Sequence, residues 1–243
     1  MRDHHHFLFF ADRISGDLLE LDRRETRHAV SVLRTFPSDP FMATDGAGTV
    51  FECIFEATSD HRLSGKIISR TIVSRHPCSI QILIGLPERD AFERLISDLT
   101  ALGIEQITPL VSACCQKPWW EKGWENLSER FRGKMVSAMK QSRYPWLPQL
   151  DPPLPFGDFR PLASQPLLVA DKEGMPISAA LGEIRNPDAA FACIIGPPGG
   201  FSPEETAAFS VHRGLPVKIA ASRLTSELAS VVLASQIIGA KLG

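Results

Sequence analysis

An α/β protein, with a parallel sheet covered by helices on both faces and preceded by a small β-barrel, is the fold class that the sequence predicts. Two observations carry that reading. Up to about residue 74 the pattern is one of short strands bounded by turn residues, whereas from about residue 75 apolar strands and amphipathic helices alternate. Alternation of that kind produces a parallel sheet, because each crossover helix returns the chain to the same end of the sheet. The composition shift and the turn at Pro77 set the expected boundary, dividing the chain into 1–74 and 75–243.

The first half is expected to begin with the strands "FLFF" (7–10) and "DLLEL" (17–21). A single short helix follows in "RRETRHAVSVLR", with Ala29, Val30 and Leu33 inward and Arg23, Arg24, Arg27 and Arg34 outward. In "TVFECIF" (49–55) Phe51, Cys53 and Phe55 share one face while Glu52 and Glu56 take the other, the period-2 signature of a half-buried strand. The Asp45-Gly46 pair before it predicts a hairpin turn.

The second half opens on "SIQILIGLP" (79–87), a continuous apolar strand of the kind buried on both faces. Phe92, Leu95, Ile96, Leu99 and Leu102 then recur at helical spacing, "QITPLVSACC" reads as a strand, and a long helix places Trp124, Leu127, Phe131, Met135 and Met139 on one side. A proline-rich stretch, "YPWLPQLDPPLPFGDFRP", reads as a long non-helical connection. The strands "PLLVA", "FACIIG" and "LPVKIA" follow with helical segments between them. Thr225 or Ser226 caps a final helix whose stripe is expected to be Leu228, Val231, Val232, Ile238 and Leu242. Its other positions are small, which suits a close core approach or a partner subunit.

Composition excludes several classes. With 243 residues, 44% of them hydrophobic, the chain can bury a full core, and a net charge of −2 leaves room for a local basic patch but not a globally basic coat. The five cysteines are odd in number and lack C-x-x-C spacing, which predicts reduced thiols and no zinc site. His4, His5 and His6 are adjacent and cannot all face one ion, so no metal is expected. No apolar run approaches the roughly 20 residues that span a bilayer, and the N-terminus lacks the pattern of a signal peptide. A soluble cytoplasmic protein without a membrane partner is the expectation.

The stretch "IIGPPGGFSPEE" (194–205) ends an apolar strand in two prolines and two glycines, and a helix starts at once. Gly196, Gly199 and Gly200 permit close backbone approach, and Pro197 and Pro198 stiffen the loop. Ser202, Pro203 and Glu205 write an N-cap, a first-turn proline and a capping box. A phosphate at this helix end would face Glu204 and Glu205, the reverse of a nucleotide-phosphate site, and neither common phosphate-binding glycine motif is matched. The spacing therefore points to a ligand without phosphate, with a positively charged one compatible; a tight turn without ligand is the other reading.

Taken with "VKIAA" and "RLTSELASVVLASQ" (223–236), this turn resembles the end of the bacterial 16S ribosomal RNA uridine N3-methyltransferases, of the SPOUT class of knotted methyltransferases. The likeness extends to "FLFF", "RHAVSVLR" and "DGAGTVFECIF", similar to that family's PUA-like RNA-binding barrel, and to "ALGIEQITPLVS" and "KQSRYPWLP". The resemblance implies a deep trefoil knot in the C-terminal half, S-adenosylmethionine as cofactor, a homodimer, and methyl transfer to N3 of a uridine in 16S ribosomal RNA or the small subunit. Carried over by position, it implies a cofactor cleft formed by Val169, Ala170, Gly196, Gly199, Gly200, Ile219, Leu224, Ser226 and Leu228. It places Arg23, Arg24, Arg27, His28 and Arg34 on the RNA side, where a solvated helix face is the plainer alternative, and Arg143 as a cation near the target base. Arg130, Arg132 and Lys134 are expected to join these arginines in a connected basic face.

The chain also departs from the family pattern. Pro198 stands for the glutamate of G-P-E-G-G, Thr225 for the arginine of L-R-T-E-T-A, and Lys140 and Tyr144 for the glutamate and arginine of E-Q-S-x-R. Asp98 and Ala101 replace the lysine and glutamate of K-x-x-E-L-G. Charges vanish in pairs, which suggests exchanged internal ion pairs, so that Ala101→Glu alone is expected to destabilise. The rival to an active enzyme is a non-catalytic RNA-binding relative of the same fold.

Overall fold

The computed structural model describes residues 7–76, 78–116, 118–121, 123–161, 165–184 and 190–242, so Pro77 and the histidines at 4–6 lie outside the described residues. Two compact units result: 1–75 together with 136–147, and 76–135 together with 148–243.

The first unit is a closed five-stranded barrel. Strands β1 (Leu8–Ser15), β2 (Leu18–Leu21), β3 (Pro40–Thr44), β4 (Thr49–Ser59) and β5 (Arg62–Ile72) are ordered β1-β2-β5-β4-β3, and a parallel pairing of β1 with β3 closes the ring. Closure removes the unpaired edges that an open sheet would expose. Phe51, Cys53 and Phe55 point inward to meet Phe9, Leu19, Leu21, Phe41, Leu63 and Ile67, while Glu52 and Glu56 face solvent. In the turn at 45–49, Asp45 Oδ1 accepts from the backbone N–H of Ala47 at 2.7 Å and of Thr49 at 3.1 Å.

One helix of the sequence reading is corrected. The segment at 23–34 is a short α-helix, α1 (Arg23–Arg27), continued by a π-helical turn at His28–Val32. The wider π turn shifts the facing of the side chains within it, and Val30 is 40% exposed where it was expected inward. Glu25 and Thr26 are buried instead.

The second unit is a parallel sheet ordered β12-β10-β11-β6-β7-β8. Its strands are β6 (Ile80–Gly85), β7 (Gln106–Val111), β8 (Gln149–Leu150), β9 (Leu154–Pro155), β10 (Leu167–Pro176), β11 (Phe191–Ile195) and β12 (Leu215–Lys218). The helices are α2 (Arg89–Ala101), α3 (Trp124–Ser142), α4 (Ile177–Glu183), α5 (Pro203–Val211) and α6 (Ser226–Leu242). The proline-rich connection is more ordered than the sequence suggested: β8 and β9 both pair with β7, and Phe156–Asp158 forms a 3-10 turn. Proline is tolerated there because these strands lie at the sheet edge. On one face Phe159 and Phe209 pack with Leu83, Val169 and Ile194; on the other, α6 lies against α2, β6 and β11.

The last helix also turns a different face inward from the one expected. Ser226, Ala229, Ser230, Leu233, Ala234 and Ile237 are buried, whereas Leu228 is 47% exposed and Val231, Val232 and Ile238 are half-buried. Small residues on the inner face bring the helix backbone close to the sheet, and the hydroxyl of Ser230 is satisfied by donating to Ser226 O at 2.9 Å.

The C-terminal part of α3 and the segment after it belong to the barrel unit. Gly48 N–H donates to Pro145 O at 2.8 Å, Leu147 N–H to Gly46 O at 2.8 Å, and Trp146 Nε1–H to Val73 O at 3.0 Å. The Trp146 ring lies where a β-carbon on Gly48 would be, 2.1 Å away, and Gly48 has φ 95°, so only glycine fits. Arg75 stacks over the same ring at 4.2 Å.

Candidate functional site

In an open α/β sheet, ligands bind beyond the carboxyl ends of the strands, where neighbouring connections diverge. At that end of β10, β11 and β12 the structure brings together most of the proposed cofactor residues. Val169 pairs with Ile194 of β11 and with Pro216 of β12, which sets the three strand ends side by side. Residues 171–174 then loop out of β10, since Ala170 and Met175 both pair with Val217.

Two loops meet above these ends. Ser226 Oγ donates to Gly196 O at 2.6 Å, and Arg223 Nη2 donates to Pro198 O at 3.0 Å, so the glycine turn and the approach to α6 are tied to each other. Gln236 Nε2 holds Ile219 O at 3.1 Å from within α6. Of the two candidate caps, Thr225 is the one that caps α6: its Oγ1 accepts from Leu228 N–H at 3.4 Å, leaving the Ser226 hydroxyl for Gly196. Gly196, Gly199 and Gly200 on the glycine turn therefore meet Ile219 and Leu224 on the approach to α6 and Ser226 and Leu228 in its first turn. The side chain of Val169 belongs to the apolar core, so only its backbone is available.

The glycine turn is held from below as well. A β-carbon on Gly199 would come within 3.0 Å of Cys114 Cβ and 3.1 Å of Cys114 O, so the loop at 112–115 is its floor. Glu205 fixes both pieces. Its Oε1 accepts from Ala113 N–H at 2.8 Å, and its Oε2 accepts from Ser202 N–H at 2.9 Å. The capping box foreseen in the sequence is present, and its glutamate is also a strut between two loops. Glu204 is exposed and accepts from Ser202 Oγ at 2.8 Å; that hydroxyl and its own backbone N–H hold its carboxyl below the usual carboxylate range. The amino end of α5 thus offers ionised carboxylate and satisfied N–H groups, which fits a cationic ligand and repels a phosphate.

The family model described as "RNA methyltransferase domain" matches residues 74–238. The chain belongs to that family. Among relatives of this RNA methyltransferase, the Ribosomal RNA small subunit methyltransferase E of Synechocystis sp. is 27% identical over 231 residues, spanning 93% of this chain and 74% of the relative. The protein of the same name from Mycobacterium bovis is 26% identical over 240 residues, spanning 93% and 88%. The crystal structure of a Ribosomal RNA small subunit methyltransferase E from Neisseria gonorrhoeae, bound to S-adenosyl methionine, superposes with a TM-score of 0.84 at 21% identity, covering 97% of this chain and 98% of that one. The fold is therefore shared over both units.

Of the residues assigned to RNA, Arg23, Arg24, Arg27, His28 and Arg34 are all exposed. Arg34 has φ 55°, where the chain leaves the π turn, and the ring of His28 sits edge-on to Phe9 at 6.3 Å. In the second unit Arg130 Nη2 and Lys134 Nζ bind Glu93 Oε2 at 2.9 and 3.2 Å, and Arg89 Nε binds Glu93 Oε1 at 3.2 Å, so these three cations share one buried carboxylate. Arg143 is exposed, with φ 56°, at the end of α3 in the barrel unit.

Sequence reasoning also missed the partner of Lys140, whose Nζ lies 2.5 Å from Glu25 Oε1. The other oxygen of Glu25 accepts from Phe10 N–H at 3.1 Å. This is an internal ion pair at a position where the family pattern has glutamate. At the other end of the exchange idea, Asp98 and Ala101 are both exposed, so a glutamate at 101 would reach water, and the expected destabilisation by Ala101→Glu is withdrawn.

Proposed function

We propose that this RNA methyltransferase transfers a methyl group from S-adenosylmethionine to N3 of a uridine in 16S ribosomal RNA of the small subunit. The observation that carries the cofactor assignment is the junction of the two loops through Ser226 and Gly196, above the ends of β10–β12 and beside the carboxylate-capped α5. S-adenosylmethionine supplies an electrophilic methyl on a positive sulfonium and has no phosphate, which matches the electrostatics of this turn. Relatives named for methylation of the small-subunit ribosomal RNA, spanning 93% of the chain, support the substrate.

The chain's own residues have separable tasks in this reading. Backbone groups of Gly196, Gly199, Gly200, Ile219 and Leu224 hold the purine and ribose, with Ala170 and Leu228 alongside. Ser226 keeps the two loops at a fixed separation, and Glu205 keeps the glycine turn seated on 112–115. A uridine N3 must lose its proton before it can attack, and a nearby cation lowers the cost of the resulting anion. Arg143 is proposed for that role, with Arg23, Arg24, Arg27, His28 and Arg34 on the PUA-like barrel taking the RNA backbone. Membership of a methyltransferase family favours this reading over a binding protein without chemistry.

The C-terminal unit is proposed to carry the deep trefoil knot, and two chains to form a homodimer. The half-exposed face of α6, with Leu228, Val231, Val232 and Ile238, supports the second point, because an apolar helix face left uncovered in one chain suits a partner subunit.

Calorimetric titration tests the cofactor site. Saturable binding of S-adenosylmethionine in the micromolar range, about −7 to −8 kcal/mol, without binding of ATP or NAD, is the expected result. Gly199→Val, which forces a side chain into Cys114, should abolish it. Equal binding of ATP would contradict the account of the α5 terminus.

A further inference from the structure

The barrel unit contains a cavity of about 390 Å3, lined by Arg23, Thr26, Arg27, Val30, Ser31, Thr58 and His61. Its two walls come from distant parts of the chain. One is α1 with the π turn, and the other is the tip of the β4–β5 hairpin, where Asp60 and His61 take left-handed φ values of 50° and 61°. That turn carries His61 round toward the arginines.

The walls are locked together underneath. Thr26 Oγ1 accepts from Leu63 N–H at 2.8 Å and donates to Leu21 O at 3.4 Å, which uses up the threonine and fixes α1 on the start of β5. The polar side chains left to meet a ligand are the two guanidiniums, the imidazole of His61 and the hydroxyls of Ser31 and Thr58. None of the lining side chains is acidic, and neither Arg23 nor Arg27 has an ion-pair partner among the described residues. The nearby Arg62, by contrast, is engaged by Asp12.

We infer that this cavity is a nucleotide subsite for the RNA substrate. Arg23 and Arg27 take the oxygens of one phosphodiester, and Ser31, Thr58 and His61 take the ribose hydroxyls and the edge of the sugar. The volume is at the small end of ligand pockets, the size of a single nucleotide unit rather than of a folded RNA element. Two exposed guanidiniums in a cavity whose lining holds no carboxylate suit phosphate, which guanidinium binds through paired N–H donors. The inference rests on the proposed RNA substrate and divides its arginines: Arg23 and Arg27 enter a cavity, whereas Arg24 and Arg34 do not line it. His61 and Thr58 are new members that no motif in the sequence marked.

Filter binding of 16S ribosomal RNA to the full chain, at low and moderate salt, tests this. The double substitution Arg23→Ala, Arg27→Ala should weaken retention about 10- to 100-fold and lower the salt slope by about 0.7 for one lost phosphate contact. Single substitution of the exposed barrel lysine, Lys66→Ala, should change binding by less than about threefold. His61→Ala should weaken binding at both salts, and thermal melts of all variants should match the parent because the altered side chains are exposed. If the parent retains RNA and the double variant retains it equally, the subsite is wrong while the substrate stands. If the parent retains none, the substrate reading itself falls and takes the subsite with it. Competition by uridine monophosphate or inorganic phosphate at concentrations comparable with RNA would overturn the RNA assignment in favour of a free anion.

Discussion

Two buried carboxylates show what single residues do in this chain. Glu25 is paired with Lys140, and the side chains are only 8% and 19% exposed. Removing the lysine leaves a buried charge with one backbone N–H as its remaining partner. Lys140→Met should therefore cost about 3 kcal/mol in chemical denaturation, and adding Glu25→Gln to it should recover part of that loss; additive losses would show that the pair is not coupled. Glu93 is the second case. Burial alone would raise its carboxyl, but hydrogen bonds from Lys134 and Arg130, and their charges, outweigh burial and hold it below its ordinary value of 4.5. A depressed carboxyl adds stability above its unfolded-state value and loses it as pH falls through the folded-state value. Melting temperature should thus drop below pH 4.5, and Glu93→Gln should flatten that drop. Because the three cations are 39%, 55% and 42% exposed, water takes over their solvation, and the substitution should cost only about 1 kcal/mol at neutral pH. The Glu25–Lys140 pair could not be read from the sequence, since the two are 115 positions apart and nothing local marks their meeting.

At the scale of elements, the sequence told strand from helix wherever periodicity was strong, and it failed where size misled. Phe51, Cys53 and Phe55 alternate with glutamates, so their facing was legible. In α6 Leu228, Val231, Val232 and Ile238 were assigned inward, yet the helix buries Ala229, Ser230, Leu233, Ala234 and Ile237, a face turned from the expected one, and the four assigned residues are partly outside. The strands β3 and β5 escaped notice because β3 is short and Gly65 and the Ile67-Ile68 pair interrupt the apolar alternation of β5, and β8 and β9 because the prolines in and beside them argue against any strand not at an edge. The π turn at His28–Val32 has no sequence signature, so Val30 was placed on the wrong side. The revised face of α6 has a direct consequence. Ala234→Leu should cost about 1–3 kcal/mol by overfilling a site with no exposure. Val232→Arg should leave stability of the single chain nearly unchanged and shift sedimentation from dimer to monomer. A dimer that survives Val232→Arg would place the interface elsewhere.

For the whole molecule, the candidate site was legible in kind more than in construction. The glycine turn, the serine cap and the acidic start of α5 could be read as a phosphate-free ligand site, because capping chemistry is local. The struts that make it a site are long-range: Ser226 reaches Gly196 over 30 positions and Glu205 reaches Ala113 over 92. The same limit applies to the barrel cavity, whose arginines were visible as charges but whose second wall, with Thr58 and His61, comes from another part of the chain. The central claim is methyl transfer, and mass spectrometry of nucleosides tests it most directly. Purified chain, S-adenosylmethionine and small ribosomal subunits or their 16S RNA would be incubated together, and the RNA digested to nucleosides. The account predicts N3-methyluridine that appears only with both chain and cofactor, and that falls steeply with Gly199→Val. Cofactor binding without any methylated uridine, or methyl groups on another base, would contradict it.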